Sequence, residues 1–120
     1  MDIINLKDTK AFTTKDGSTI REILAFRNSC IVNQSLAEAR VPAGSATAEH
    51  KHPKTEEIYY ILEGSGTMKI GEETQTVRVG DGIAIPPGEP HKIWNTGSED
   101  LVFLCMCAPA YTDEDTILLE

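Results

Sequence analysis

The stretch GSATAEHKHPKTEEIYYILEG, Gly44 to Gly64, decides the reading of this chain. It places His50 and His52 two residues apart and Glu57 five residues further on, beyond the Pro-containing turn at Pro53. In an extended strand, side chains at i and i+2 point to the same face. His50 and His52 therefore face one side of one strand without bending the backbone. Only one other histidine exists, His91, so the chain's three imidazoles and one carboxylate fall in the part richest in strand and turn signals. Imidazole nitrogen suits Zn, Cu, Fe and Ni, and a carboxylate oxygen adds hard character that also admits Mn. The pattern points to a bound divalent metal. A lone histidine is ordinarily a satisfied core residue, but three at this spacing are not.

Working outward, period-two patterns dominate. Thr19–Phe26 alternates after an Asp16-Gly17 turn, and Ser29–Val41 is extended up to Pro42-Ala43-Gly44. Ile58–Leu62 is aromatic and β-branched, as strands are. Thr67–Ile70, Thr74–Val79, Ile83–Ile85, His91–Asn95 and Leu101–Ala108 follow, separated by Gly- and Pro-rich turns. Short strands at such spacing predict an all-β sandwich or barrel. No stretch carries a convincing helical period. Thr112–Glu120 reads as a helical turn or a tail, and Asp113-Glu114-Asp115 within it as a solvated turn. With 120 residues and 40% apolar content, one domain with one core is expected over residues 1–120.

The formal net charge is −8, which argues against sequence-independent nucleic-acid binding, since that relies on Lys and Arg neutralising phosphates. No apolar run approaches the roughly 20 residues of a membrane helix. The first residues, MDIINLKDTKAF, lack the apolar core of a signal peptide, so a cytoplasmic location is expected. An odd cysteine count (Cys30, Cys105 and Cys107) fits a reducing compartment. Cys105 and Cys107 share a strand face and read as small apolar side chains in a β core.

Two segments carry a resemblance. Gly44, five residues, His50-x-His52, four residues, Glu57, six residues and Gly64 resemble the first cupin motif at every fixed position. Gly80, five residues, Pro86-x-Gly88, two residues, His91, three residues and Asn95 resemble the second. The resemblance implies a small single-domain cupin: a double-stranded β-helix (jelly-roll) barrel with one divalent metal, Mn, Fe, Ni or Zn, in its mouth. It implies His50, His52, Glu57 and His91 as the ligands. Glu56 is a rival on spacing, but Glu57 leaves the six-residue gap to Gly64 intact. The 15 residues between Gly64 and Gly80 leave no room there for an inserted lid domain.

Parity places Tyr59 and Ile61 on the ligand side of their strand, and Ile93 and Asn95 on that of the His91 strand. Tyr60 and Trp94 face away. Tyr59 either donates a hydrogen bond to a ligand or fills core space. Arg40 is an anion anchor at the mouth or an exposed strand-end arginine. Glu49, Glu63 and Glu89 lie near the motifs without an assigned acid or base role. Because one fold hosts many functions, the reaction stays open. One reading is an oxygenase, decarboxylase, isomerase or lyase acting on a small polar or carboxylated molecule. The other is a non-catalytic module that binds a small molecule or the metal. Apolar residues on both faces of the Ile58–Leu62 and Leu101–Ala108 strands suggest a homodimer.

Overall fold

The computed structural model describes residues 1–120 and is almost wholly β. After a short 3-10 turn at Leu6–Asp8, the strands are β1 (Phe12–Thr13), β2 (Thr19–Leu24), β3 (Ser35–Val41), β4 (His50–Lys51), β5 (Glu56–Glu63) and β6 (Ser65–Ile70). Next come β7 (Glu73–Arg78), β8 (Gly82–Ile85), β9 (His91–Trp94), β10 (Leu101–Ala108) and β11 (Ile117–Leu118). They form a six-stranded sheet, β1-β2-β3-β10-β5-β8, and a five-stranded sheet, β11-β4-β9-β6-β7. All pairings are antiparallel, the arrangement of a double-stranded β-helix.

Alternation builds the core. Along β5, Glu57, Tyr59 and Ile61 are buried, whereas Ile58, Tyr60 and Leu62 are exposed. Ala39 and Val41 from β3, Phe103 and Cys105 from β10, and Met68 and Ile93 from the facing sheet close one cluster between the layers. Cys105 and Cys107 are buried, as their shared face predicts. Gly66 of β6 has no room for a side chain, because a Cβ there would meet the Trp94 carbonyl oxygen of the neighbouring β9 strand. Gly64 adopts φ +83°, a left-handed turn conformation that side chains disfavour.

Three expectations need correction. The extended run starts at Ser35, not Ser29, because Asn28 turns the chain back. Its Oδ1 accepts from the Ala25 amide at 2.8 Å, and its own amide donates to the Ala25 carbonyl at 3.2 Å. The C-terminal residues form neither a helical turn nor a tail. Ile117 and Leu118 pair with Lys51 and His50, so β11 edges the second sheet beside the histidines. The acidic cluster is not merely solvated: Asp115 accepts from the Lys54 and Thr55 amides at 3.0–3.2 Å and fixes the turn after His52. Two-residue strands and long-range caps leave no periodic trace in a sequence.

Candidate metal centre

Strand register assembles the site. His50 on β4 lies directly across from His91 on β9. His52 falls just past the end of β4, where Pro53 cannot donate to a ladder. It keeps the face expected of i and i+2, because its carbonyl accepts from the Gly88 amide at 2.8 Å. Glu57 comes from the other sheet, on β5 between Cys107 of β10 and Ile85 of β8. Glu56 is exposed and takes no part. All three imidazoles and Glu57 are buried, none more than 5% exposed. One nitrogen from each imidazole lies within 4.8 Å of the others, an arrangement suited to holding a metal ion.

Hydrogen bonds fix which nitrogen faces inward. His50 Nδ1 is 2.7 Å from the Ala48 carbonyl oxygen, and His91 Nδ1 is 3.0 Å from the Glu89 carbonyl oxygen. A carbonyl oxygen only accepts, so each Nδ1 carries the proton and each neutral ring presents a lone pair at Nε2. His52 Nδ1 lies 3.3 Å from both the Asp115 carbonyl oxygen and Thr116 Oγ1. The Thr116 hydroxyl donates elsewhere, to the Thr112 carbonyl at 2.9 Å, and is free to accept. Metal-binding histidines are oriented in this way, by a donor bond from the other ring nitrogen.

The inward atoms crowd one another. Glu57 Oε1 stands 3.4 Å from His52 Nε2 and 3.6 Å from His91 Nε2. Glu57 Oε1 and His91 Nε2 are buried without any hydrogen-bond partner. Buried polar atoms are nearly always paired, and an unpaired one costs about 1–3 kcal/mol. A cation among these atoms would satisfy them, and the three histidines lie close enough together to hold one.

Without a cation, protons do part of that work. Burial alone would raise the Glu57 pKa, but the imidazoles of His52 and His91 beside it, when charged, outweigh that and hold the carboxyl at about 2. Burial would lower His52, yet the Glu57 carboxylate more than compensates and raises it. His50 is lowered, first by burial and then by the adjacent His91.

The centre lies at the inner end of an open cleft with an empty volume of about 580 Å³, including its mouth. Phe12, Ile20, Ala37, Ala39, Tyr59 and Phe103 supply its apolar wall. Ser18, Ser35, Tyr111 and Thr116 supply polar groups. Tyr59 is fully buried against Phe103, with ring centroids 4.5 Å apart, and burial drives its hydroxyl pKa far up.

Ile61 and Ile93 do share the inward face, but they pack in the core and do not line the cleft. Asn95 also points in, where its Nδ2 donates to the Val41 and Glu99 carbonyls and ties the sheets together. Arg40 is no anchor at the mouth: it pairs with Glu38 at 3.0 Å and Asp100 at 3.7 Å on the outer face. Glu49 pairs with Lys69, and neither Glu63 nor Glu89 lines the cleft.

Two residues escape the sequence reading. Cys107, buried as expected, donates its Sγ–H to Glu57 Oε2 at 3.2 Å. Burial and the neighbouring carboxylate push its pKa far up, so it remains a neutral donor. Asp16, legible only as a turn former, places Oδ2 3.5 Å from His50 Nε2. Strand register and hairpin docking, which no local signal encodes, bring both to the site.

Comparison with known proteins now decides the family. Residues 37–107 match the family described as the cupin domain. The chain belongs to the cupin family. An uncharacterised protein of Methanocaldococcus jannaschii is 54% identical over 111 residues, covering 92% of this chain and 89% of that protein. An oxalate-binding protein of Thermotoga maritima is 40% identical over 71 residues, 59% of each chain. Among solved structures, a formate complex of Lactobacillus farciminis oxalate decarboxylase superposes with a TM-score of 0.82 at 26% identity. That match covers 96% of this cupin and 35% of the decarboxylase.

Metal and proton compete for the inward nitrogens. Because the metal-free cupin holds a raised pKa at His52, proton competition sets in on the alkaline side of the usual histidine value of 6.5. Metal affinity should be full well above that pH and should decline as pH falls through the raised pKa. A chelator-competition titration from pH 8.5 to 5 checks this, and an affinity flat across that range would contradict it.

Proposed function

We propose that this chain is a single-domain metal-dependent cupin that binds a small carboxylated molecule on a divalent ion held by His50, His52, Glu57 and His91, and acts on it there. The observation that carries this reading is the set of inward lone pairs around Glu57 Oε1 and His91 Nε2, both buried and unpaired. A divalent ion supplies Lewis acidity and a template for an oxygen ligand. Three neutral imidazoles and one carboxylate leave such an ion about one net positive charge. That charge favours an anion despite an overall charge of −8, because the nearest charge dominates at short range.

The chain's own residues do the rest. Phe12, Ile20 and Phe103 exclude bulk water from the inner cleft, which strengthens electrostatic attraction. Ser35 offers a hydroxyl to orient polar groups, while the Ser18 and Tyr111 hydroxyls are committed to Asp16 and Asp113. Cys107 steadies the Glu57 carboxylate through its thiol donor. The names of the relatives, one oxalate-binding and one an oxalate decarboxylase, support a small carboxylate as the ligand class.

A second reading, a binding protein without turnover, draws support from the oxalate-binding relative, the closer of those two in identity. Incubating the metal-loaded cupin with a panel of carboxylates, diketones, thiols and sugars, with and without O2, separates the two. Product formation that Glu57→Gln abolishes is the expected result. Tight binding with no product from any compound would leave the binding reading standing, and neither binding nor product would overturn both.

We also infer a homodimer packed through the outer face of β5 and β10. Ile58, Tyr60 and Leu62 are 49%, 42% and 38% exposed there, a row that water would otherwise cover. Met106 and Leu104 stand beside Ile58 and Tyr60 in register and extend the patch. Contiguous apolar patches of this kind mark interaction surfaces. Light scattering at micromolar concentration should give twice the chain mass of 13.1 kDa, and a monomeric mass would contradict the inference.

A further inference from the structure

We propose that Asp16 is a fifth protein ligand of the same metal, supplied by the β1–β2 hairpin from outside both histidine-bearing segments. The proposal rests on the metal reading above and adds a ligand to it.

Asp16 uses its two carboxylate oxygens for different purposes. Oδ1 organises the hairpin: it accepts from Thr14 Oγ1 at 2.7 Å, the Ser18 amide at 2.9 Å and Ser18 Oγ at 2.6 Å. Oδ2 makes none of these bonds and faces His50 Nε2 at 3.5 Å. The His50 Nδ1 proton is committed to the Ala48 carbonyl at 2.7 Å, so the neutral ring offers Nε2 as a lone pair. A carboxylate oxygen and a lone pair facing each other at that distance repel unless a cation or a proton lies between them.

Glu57 Oε1 stands in the same relation to His52 and His91, at 3.4 and 3.6 Å. Two donors each about 2.1 Å from one ion and 90–110° apart lie about 3.0–3.5 Å from each other. The Asp16–His50 separation matches that spacing, although Asp16 reaches one histidine where Glu57 reaches two. Glu57 approaches the histidines beside His52 and His91, and Asp16 approaches beside His50.

The backbone holds this arrangement. The Asp16 carbonyl accepts from the Ala48 amide at 2.8 Å, which docks the hairpin onto the residue that fixes the His50 ring. Gly17, at φ +90°, permits the turn that aims Asp16 inward. Lys15 Nζ donates to the Asp113 carbonyl at 2.7 Å and anchors the other side of the hairpin. The Asp16 side chain is only 13% exposed.

A fifth ligand changes what the centre does. A second carboxylate brings the site close to neutral and, on a six-coordinate ion, leaves one open position. A bidentate anion would then need the position of Asp16 as well as the open one, and departure of Asp16 would restore the net positive charge that favours an anion.

Asp16→Asn tests this. Asparagine retains an oxygen acceptor for Thr14 and Ser18, but its amide nitrogen does not ligate. That amide donates to the His50 Nε2 lone pair instead. Metal affinity is measured by chelator competition with Mn, Ni or Zn chloride, and melting temperature is read with and without metal. The expected result has opposite signs in the two states. The metal-free variant melts at the wild-type temperature or above it, while metal affinity falls about 10-fold or more, at least the effect of losing an outer-shell partner. Equal metal affinities in variant and wild type would overturn the proposal and leave the four-ligand reading intact. A lower melting temperature for the metal-free variant would mark Asp16 as an ion-pair or turn residue and also overturn it. A wild-type chain that takes up no metal would overturn both readings together.

Discussion

The structure depends on a confrontation of lone pairs. The imidazoles of His50, His52 and His91 are turned by backbone carbonyls and a hydroxyl so that their Nε2 atoms face inward, those of His52 and His91 toward the Glu57 carboxylate and that of His50 toward Asp16. Left alone, such a cluster is costly, because buried acceptors without donors lose their hydration and gain nothing. Much of the surrounding architecture maintains this cost. Asp115 caps the turn after His52, Gly88 bonds its carbonyl, and the Cys107 thiol holds the far oxygen of Glu57. A fold that only needed a core would fill this space with hydrocarbon, and apolar replacements of buried polar clusters are often neutral or stabilising. The three histidines of the cluster are suited to holding a cation.

The barrel makes such a site possible because it draws the ligands from two sheets. His50 and His91 pair across adjacent strands of one sheet, and Glu57 reaches over from the other. Their separation is therefore fixed by the sheet-to-sheet contact, which Asn95 ties through its bond to the Val41 carbonyl. A packed core transmits shifts rather than absorbing them. The open end of the barrel becomes the cleft, with β2, β3 and β10 as its apolar walls.

Much of this is legible in the sequence, and the reasons are local. The eight main strands show as short alternating or β-branched and aromatic runs between Gly- and Pro-rich turns, such as IYYIL of β5, whose burial alternates in the fold. The parity that puts Glu57, Tyr59 and Ile61 inward follows from the pleat alone. The two His/Glu segments are readable because their spacings are rigid. What escapes is whatever depends on register between distant strands. Nothing near Cys107 announces that it will lie opposite Glu57, and nothing near Asp16 announces that its hairpin will dock beside His50. Ile117–Leu118 shows the same limit: two residues carry no period, yet they pair with Lys51 and His50. Parity also says which way Ile61 and Ile93 point, but not whether the space beyond them is cleft or core.

One ion per chain at the three histidines and Glu57 is the central proposal. Elemental analysis of protein purified without added metal, beside a His50→Ala/His52→Ala double variant, tests it most directly. The wild type should carry close to one Mn, Fe, Ni or Zn per chain, and the variant almost none while keeping its β-sheet circular dichroism. A folded double variant with full metal content, or a wild type that stays metal-free even after incubation with each of these ions, would contradict it.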